Sequence, residues 1–298
     1  MTPALFSVSY AGYWGQASLS LESFIAKAGQ LGFRSVMLAG KRPHLSPLDA
    51  TPEYLGQIQN ALRQNNVACD ALAAYTNFAP GPAAEIPDVE LQIAYVERLA
   101  EIAARLGAKI VRVFTAYLAD GIPSTALWNR VVTALRECAD RARAHNITLA
   151  IQNHHDLALD TASLLDLLAQ IDRPNCQLGF DAWSPALRGE DLFAAAKKAA
   201  PYTVLTTNAD YLRIPRYRYR PELVNYERLL PDQVQAVPFG TGFIDYPAFF
   251  QGLHEGGFSG LAVYEICSPI AGGPSSENLD RCAATYLAWL SANARHKR

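Results

Sequence analysis

Three short runs of the chain, AIQNHHD (150–156), QLGFDAW (177–183) and LAVYEIC (261–267), are apolar until they stop on groups that bind cations or move protons. Side chains alternate along a strand. Ala150, Gln152 and His154 therefore share one face of the first run, while Leu149 and Ile151 share the other. The same count sets Asp181 opposite Phe180 and puts Glu265 with Val263. Two carboxylates and an amide that converge in this way form an oxygen-rich site suited to Mn²⁺ or Mg²⁺, and a neighbouring imidazole extends the choice to Zn²⁺ or Co²⁺. An amide accepts no proton at neutral pH, so Gln152 is limited to coordination or hydrogen bonding. A base in its place would be His154 or His155, because a neutral imidazole is poised near pH 7. Consecutive residues do not share a face, and parity favours His154. The bland alternative for Asp181 and Glu265 is helix capping or pairing with Arg112.

Such strand ends act together only if the strands lie side by side. Apolar runs near 5–10, 35–39, 68–75, 109–114, 148–152, 177–181, 203–208 and 260–265 alternate with amphipathic stretches near 19–31, 51–65, 88–106, 124–145, 160–171, 190–200, 245–256 and 278–294. Ser20, Asp160, Asp245 and Asn278 are helix-start residues for four of these stretches. Strands that alternate with helices pair in parallel through right-handed crossovers. Eight such units predict an α/β fold, a single-domain (β/α)8 TIM barrel over 1–298, with its chemistry at the C-terminal strand ends. No glycine-rich phosphate loop follows an early strand. The longest irregular stretch, 209–244, is expected to be a loop that forms a lid or a substrate wall.

The chain has 298 residues, 50% hydrophobic and 18% charged, enough for one large core. Lys plus Arg number 26 against 28 Asp plus Glu, which excludes the basic face of a nucleic-acid binder. Five scattered cysteines without a CxxC pair read as reduced thiols. The segment MTPALFSVSYAGYWG has no signal-peptide pattern and no run reaches the length of a membrane span, so the expectation is a cytoplasmic protein without membrane contact.

Several further residues are candidates for substrate binding. Lys41 and His44 fall in the loop after the second strand, with a plain surface loop as the alternative. Arg112 shares a face with Ile110 and Phe114 inside the predicted barrel, where it would neutralise carboxylates. Trp183 belongs to an aromatic set at strand ends, with Tyr10, Tyr13, Trp14, Tyr75, Phe114 and Tyr117. Arg213 opens a cluster with Arg216, Arg218 and Arg220 that could grip an anion or carry only solvated charge.

The chain resembles the xylose-isomerase-like TIM-barrel superfamily of sugar isomerases and epimerases. The family shows Glu-Asn-His after strand five, Asp after strand six, His near the end of strand seven, a G-x-G-x-I-D segment, and Glu in strand eight. The matching positions here are Gln152-Asn153-His154, Asp181, Gly240-Thr241-Gly242-Phe243-Ile244-Asp245 and Glu265, and Thr206-Thr207-Asn208 lacks the histidine. The resemblance implies a divalent metal ion held by Gln152, Asp181, Glu265 and Thr207 or Asn208, of which Asn208 is taken as the ligand. It further implies a homo-oligomer and a sugar substrate that is isomerised or epimerised through an enediolate, with Glu265, His154 and His155 as the proton-transfer groups. Loss of the first glutamate keeps a second expectation open, a lyase acting beside the ketone of a keto sugar, a cyclitol or a 3-keto glycoside. A third is a sugar-binding or partner subunit with a decayed metal site.

Overall fold

Uninterrupted apolar runs become strands here because both of their faces are covered, one by the barrel interior and the other by helices. The protein is described by a computed structural model over residues 1–81 and 85–294. Its strands are β1 (Thr2–Phe6), β2 (Ser35–Ala39), β3 (Ala68–Ala73), β4 (Ile110–Val113), β5 (Thr148–Gln152), β6 (Cys176–Gly179), β7 (Thr203–Asn208), β8 (Asp210–Arg220), β9 (Asn225–Val237) and β10 (Leu261–Tyr264). Its α-helices are α1 (Leu21–Gln30), α2 (Pro52–Gln64), α3 (Asp88–Leu106), α4 (Ser124–Arg143), α5 (Thr161–Ile171), α6 (Trp183–Arg188), α7 (Leu192–Ala199), α8 (Tyr246–Glu255) and α9 (Ser276–Ala294). Eight strands close into a parallel barrel in the order β1-β10-β7-β6-β5-β4-β3-β2. This is the TIM barrel expected from the alternation.

Most of the start signals act as read. Ser20, Asp160 and Asp245 accept from the backbone N–H three residues on, at 3.2, 2.9 and 3.1 Å. Asn278 does not cap its helix: α9 begins at Ser276, and the Asn278 amide instead donates to the carbonyls of Ala271 and Gly273. The first strand ends at Phe6, short of the expected Tyr10, because residues 7–10 form a 3-10 turn. That turn lets the Ser7 and Ser9 hydroxyls accept from the backbone N–H of Ala39 and Ile266.

The stretch 209–244 is not a loop. β8 and β9 pair there as a two-stranded antiparallel hairpin between β7 and α8. Its sequence hides the strands because its outer part is exposed on both faces, so no alternation of apolar and polar residues marks it. Its base is fixed by Asp210, 1% exposed, whose carboxylate accepts from the N–H groups of Tyr211, Gly240 and Gly242 at 3.0, 3.0 and 2.7 Å. A Cβ on Gly242 would fall 2.0 Å from Asp210 Oδ1. The G-x-G segment is thus an anchor for the hairpin.

Inside the barrel, Ala4, Phe6, Met37, Ala39, Ala71, Ala73, Ala150, Leu205, Leu261 and Val263 belong to one buried cluster. Leu149, Ile151 and Phe180 join the second cluster, which includes the helices. The many alanines make room for Arg112, the largest fully buried side chain. Its partners in register are Ala73 on β3 and Ala150 on β5. From β6, a Cβ on Gly179 would meet Arg112 Cγ at 3.6 Å and Leu205 Cδ1 at 3.2 Å. Replacing Ala150 by Leu is expected to overfill this space and cost about 1–3 kcal/mol. A denaturant midpoint equal to that of the wild type would contradict this packing.

Candidate active site

The polar residues at the barrel mouth are those that continue the inward face of each strand past its last ladder bond. At the end of β5, Gln152 donates through Nε2 to Asp181 Oδ2 at 2.7 Å and to Thr207 Oγ1 at 2.8 Å. In this orientation the amide nitrogen, and not its oxygen, faces the Asp181 carboxylate. Gln152 Oε1 is buried without a partner. Asn153, fully buried, clamps the next strand: its amide nitrogen donates to the Asp181 carbonyl at 3.0 Å and its oxygen accepts from the Asp181 N–H at 2.8 Å. Its positioning role was legible only as part of the motif.

Asp181 is 3% exposed, and its Oδ1 accepts from the N–H groups of Trp183 and Ser184 at 3.1 and 3.4 Å. Burial pushes its carboxyl up to about 7, Glu265 adds to the rise, and the Gln152 amide opposes it. Glu265 follows β10, where its N–H donates to the Asn208 carbonyl at 3.1 Å. It remains half-buried at the mouth. Desolvation raises its carboxyl, while the Arg112 charge and a hydrogen bond with Cys267 hold it down.

Arg112 lies at the centre of this group. Its Nη1 donates to the Ala74 carbonyl at 3.0 Å, and its Cζ lies 3.9 Å from the Phe114 ring centroid and 5.1 Å from that of Tyr75. Its Nε has no partner. Lys41 stands beside it, with Nζ 3.7 Å from the Tyr75 ring centroid and 4.3 Å from that of Tyr13. Burial and the Arg112 charge lower the Lys41 ammonium. Six buried side-chain polar atoms lack a partner among the described residues, and four of them are at this end: Tyr75 Oη, Arg112 Nε, Gln152 Oε1 and Trp183 Nε1. Buried polar groups are normally paired, so this concentration marks where a polar ligand belongs.

His154 and His155 stand beside this centre. Both line a groove of about 250 Å³ with Tyr117, Asp156, Leu159, Trp183, Ser184, Leu187 and Arg188. His154 Nδ1 accepts from the His155 N–H at 2.7 Å, which leaves the ring proton on Nε2. His155 stacks on Tyr117 with ring centroids 4.0 Å apart. Burial, reinforced by Arg112 and, for His154, by His155, pushes the pair down to about 3 and about 4. Imidazoles so depressed are weak bases, and their position suits binding more than proton abstraction. The larger recesses, about 800, 740 and 520 Å³, open at the N-terminal strand ends, away from these groups.

Three of the expected residues stand apart from this inward-facing group. Asn208 points away from the barrel interior, because Val263, which pairs with Thr207, belongs to the interior cluster. Its amide donates to Tyr286 Oη at 3.0 Å and to the Val263 carbonyl at 3.1 Å, so Thr207 is the inward residue of β7. His44 is 2% exposed, with Nδ1 3.0 Å from Ser7 Oγ and Nε2 3.3 Å from the Leu19 carbonyl, which makes it a core residue. Arg213 lies on the exposed hairpin, where its guanidinium donates to the Ala186 carbonyl and stacks on Phe243. Of the aromatic set, Tyr10 is also a core residue, hydrogen-bonded to Asp280.

Gln152, Asp181, Thr207 and Glu265 are the oxygen-bearing groups of this mouth, and they would be the ones to hold the divalent ion that the resemblance implied. A half-turn of the Gln152 amide would present Oε1 in place of Nε2 to that point. Among the described residues no three His, Cys, Asp or Glu side chains form a metal-binding group.

A closed parallel barrel with carboxylates, an amide and cations at its C-terminal mouth defines a class of protein whose chemistry sits on β→α loops. The sequence matches the xylose isomerase-like TIM barrel family over residues 25–289, and the chain belongs to that family. No curated protein matches it. Solved structures with the same fold include a D-allulose 3-epimerase from Methylomonas sp. (15% identity, TM-score 0.75, 98% of each chain covered) and an L-ribulose 3-epimerase (17%, 0.74, 100% of each). A third is the probable 3-DHS dehydratase AsbF from Bacillus anthracis (17%, 0.72, 97% of this chain and 98% of that one). No described helix is long and apolar enough to cross a membrane.

The raised Asp181 carboxyl has a consequence for stability. Between the ordinary value of 3.8 and about 7, the folded state holds a proton that the unfolded chain releases. Asp181 thus subtracts stability progressively as pH climbs through that window. The melting temperature of Asp181→Asn relative to wild type should therefore rise from pH 4 to pH 7. A difference that is flat in pH would contradict the raised value.

Proposed function

We propose that the protein transfers a proton at the carbon next to the carbonyl of a polyhydroxylated substrate, isomerising a sugar through an enediolate, with Glu265 as the base. The observation that carries this is the placement of Glu265. It is a half-buried carboxylate at the mouth, raised by desolvation, beside the Arg112 cation and across from Asp181. Raising a carboxyl toward neutrality improves it as a proton acceptor while keeping it ionised often enough to act. Gln152 Oε1 supplies an acceptor for a substrate hydroxyl, and Tyr75 Oη and Trp183 Nε1 supply donors for its oxygens. The aromatic rings of Tyr117 and Trp183 flank the entrance.

Isomerisation between aldose and ketose needs one base, which can serve both carbons from one face of the enediolate. Epimerisation needs groups on opposite faces, and the amide of Gln152 fails as the second. The site therefore supports isomerisation over epimerisation. A second reading, elimination, is favoured by Asp181, whose carboxyl near 7 is protonated often enough to hand a proton to a departing hydroxyl. A divalent ion held by Asp181, Glu265 and the oxygens of Gln152 and Thr207 would supply polarisation of the substrate carbonyl.

Incubation with a panel of keto and aldo sugars in deuterated water separates the two readings. Isomerisation returns sugar labelled next to the carbonyl, whereas elimination yields an unsaturated product. Glu265→Gln should slow either reaction by about 10²–10⁴-fold, the usual contribution of a general base. An exchange rate equal to that of the wild type would remove Glu265 from the mechanism.

A further inference from the structure

Beyond its base, the hairpin of β8 and β9 leaves the barrel, and residues 212–219 are all exposed. We propose that this outer part is the arm of a homodimer, with the tyrosine face of one copy packed on the same face of a second copy. The inference is independent of the proposed reaction.

Register divides the arm into two unlike faces. Residues opposite one another in an antiparallel pair share a face, and successive pairs alternate between faces. On one face Arg216 pairs with Leu229, Arg218 with Glu227 and Arg220 with Asn225. Charge there closes within the face, with Arg218 and Arg220 each 2.9 Å from Glu227. On the other face Tyr217 pairs with Arg228 and Tyr219 with Tyr226. These three tyrosines are 50–64% exposed, and Leu223 and Val224 at the tip, with Leu230 farther along β9, are 66–80% exposed. Among the described residues no third strand joins the pair. A two-stranded hairpin without a covered apolar face is marginal in water.

Area and chemistry point to a second copy as the cover. The exposed aromatic and aliphatic side chains present on the order of 700 Å², close to the about 800 Å² per partner of a standard interface. Tyrosine and arginine are also the residues that dominate interface centres. The patch is its own complement: Arg228, held by Asp232 at 3.0 Å, sits across the strand pair from Tyr217. A two-fold rotation then sets the arginine of each copy against the rings of the other. The rings do not form a flat platform for a sugar, because Tyr219 and Tyr226 meet at 63° with centroids 5.3 Å apart. Val224 holds φ 47° at the tip, a left-handed conformation that β-branched residues disfavour and glycine adopts freely. A bulky apolar residue kept there suits a contact better than a solvated turn.

Sedimentation equilibrium of the full chain tests the proposal. At about 10 µM the wild type should sediment at twice the 32.5 kDa of the chain. Tyr226→Glu combined with Leu230→Glu brings like charges together across the interface and should weaken association at least about 100-fold, giving monomer at that concentration. Arg228→Ala should weaken it about tenfold. Arg218→Gln, on the opposite face, should leave the mass unchanged. All four side chains are exposed, so each variant should keep the circular dichroism of the wild type. Should the double variant fail to fold, Arg228→Ala still decides. A wild type that stays monomeric at about 100 µM overturns the proposal and leaves the face to a different protein or a glycan. A dimer whose mass is unchanged in the double variant also overturns it, because its interface lies elsewhere.

Discussion

A guanidinium closed inside a β-barrel has to be matched by its surroundings, and much of this molecule is arranged around that demand. Arg112 places a full charge on β4 where the interior is otherwise built from Ala, Phe, Met, Leu and Val. An isolated buried charge costs several kcal/mol after relaxation. The offsets are visible on every side: the Ala74 carbonyl takes one N–H, the Phe114 face takes the flat of the guanidinium, and Glu265 lies within its field. Burial depresses the imidazoles of His154 and His155 and the ammonium of Lys41, and the same charge adds to each shift.

That demand reaches back into sequence choices that look featureless. Alanine at 73 and 150 and glycine at 179 would weaken an ordinary barrel interior, which is usually filled by large branched residues. Here they leave the volume that Arg112 occupies. Asn153 performs a second service outside the barrel ladder, because its side-chain amide copies the main-chain pairing that β5 and β6 have run out of. Asp181 is thereby held against Gln152, and the pair behaves as one unit. A third fixed point is Asp210, which ties the hairpin base to the glycines before α8 and so sets the wall of the mouth next to Trp183.

The barrel was legible in the sequence because strands covered on both faces read as apolar runs, and eight of them alternate with amphipathic stretches. The hairpin was not, because its outer part buries neither face and is held by main-chain pairing and surface ion pairs such as Arg218–Glu227 and Arg228–Asp232. At the site, parity along a strand put Gln152, Asp181 and Glu265 at one mouth. On β7 the resemblance offered Thr207 or Asn208, and only the pairing of Thr207 with Val263 shows which of the two neighbouring polar residues points inward. His44 carried no sign of its burial, since its partners Ser7 and Leu19 lie on another part of the chain. The amide at 152 was visible as an anomaly, but which of its atoms faces Asp181 is a fact of three dimensions.

Fold likeness at 15–17% identity leaves the chemistry open, since one barrel serves many reactions through its loops. The residues that differ from the family pattern lie at strand ends, at or past the last ladder bonds, where substitution changes charge without disturbing pairing. Exchanging a carboxylate for an amide at 152 removes one negative charge from a mouth that also holds the buried Arg112 of the adjacent strand. The amide keeps an oxygen and a hydrogen-bond donor at the same strand end, so the link to Asp181 survives while the proton-accepting role passes to another carboxylate.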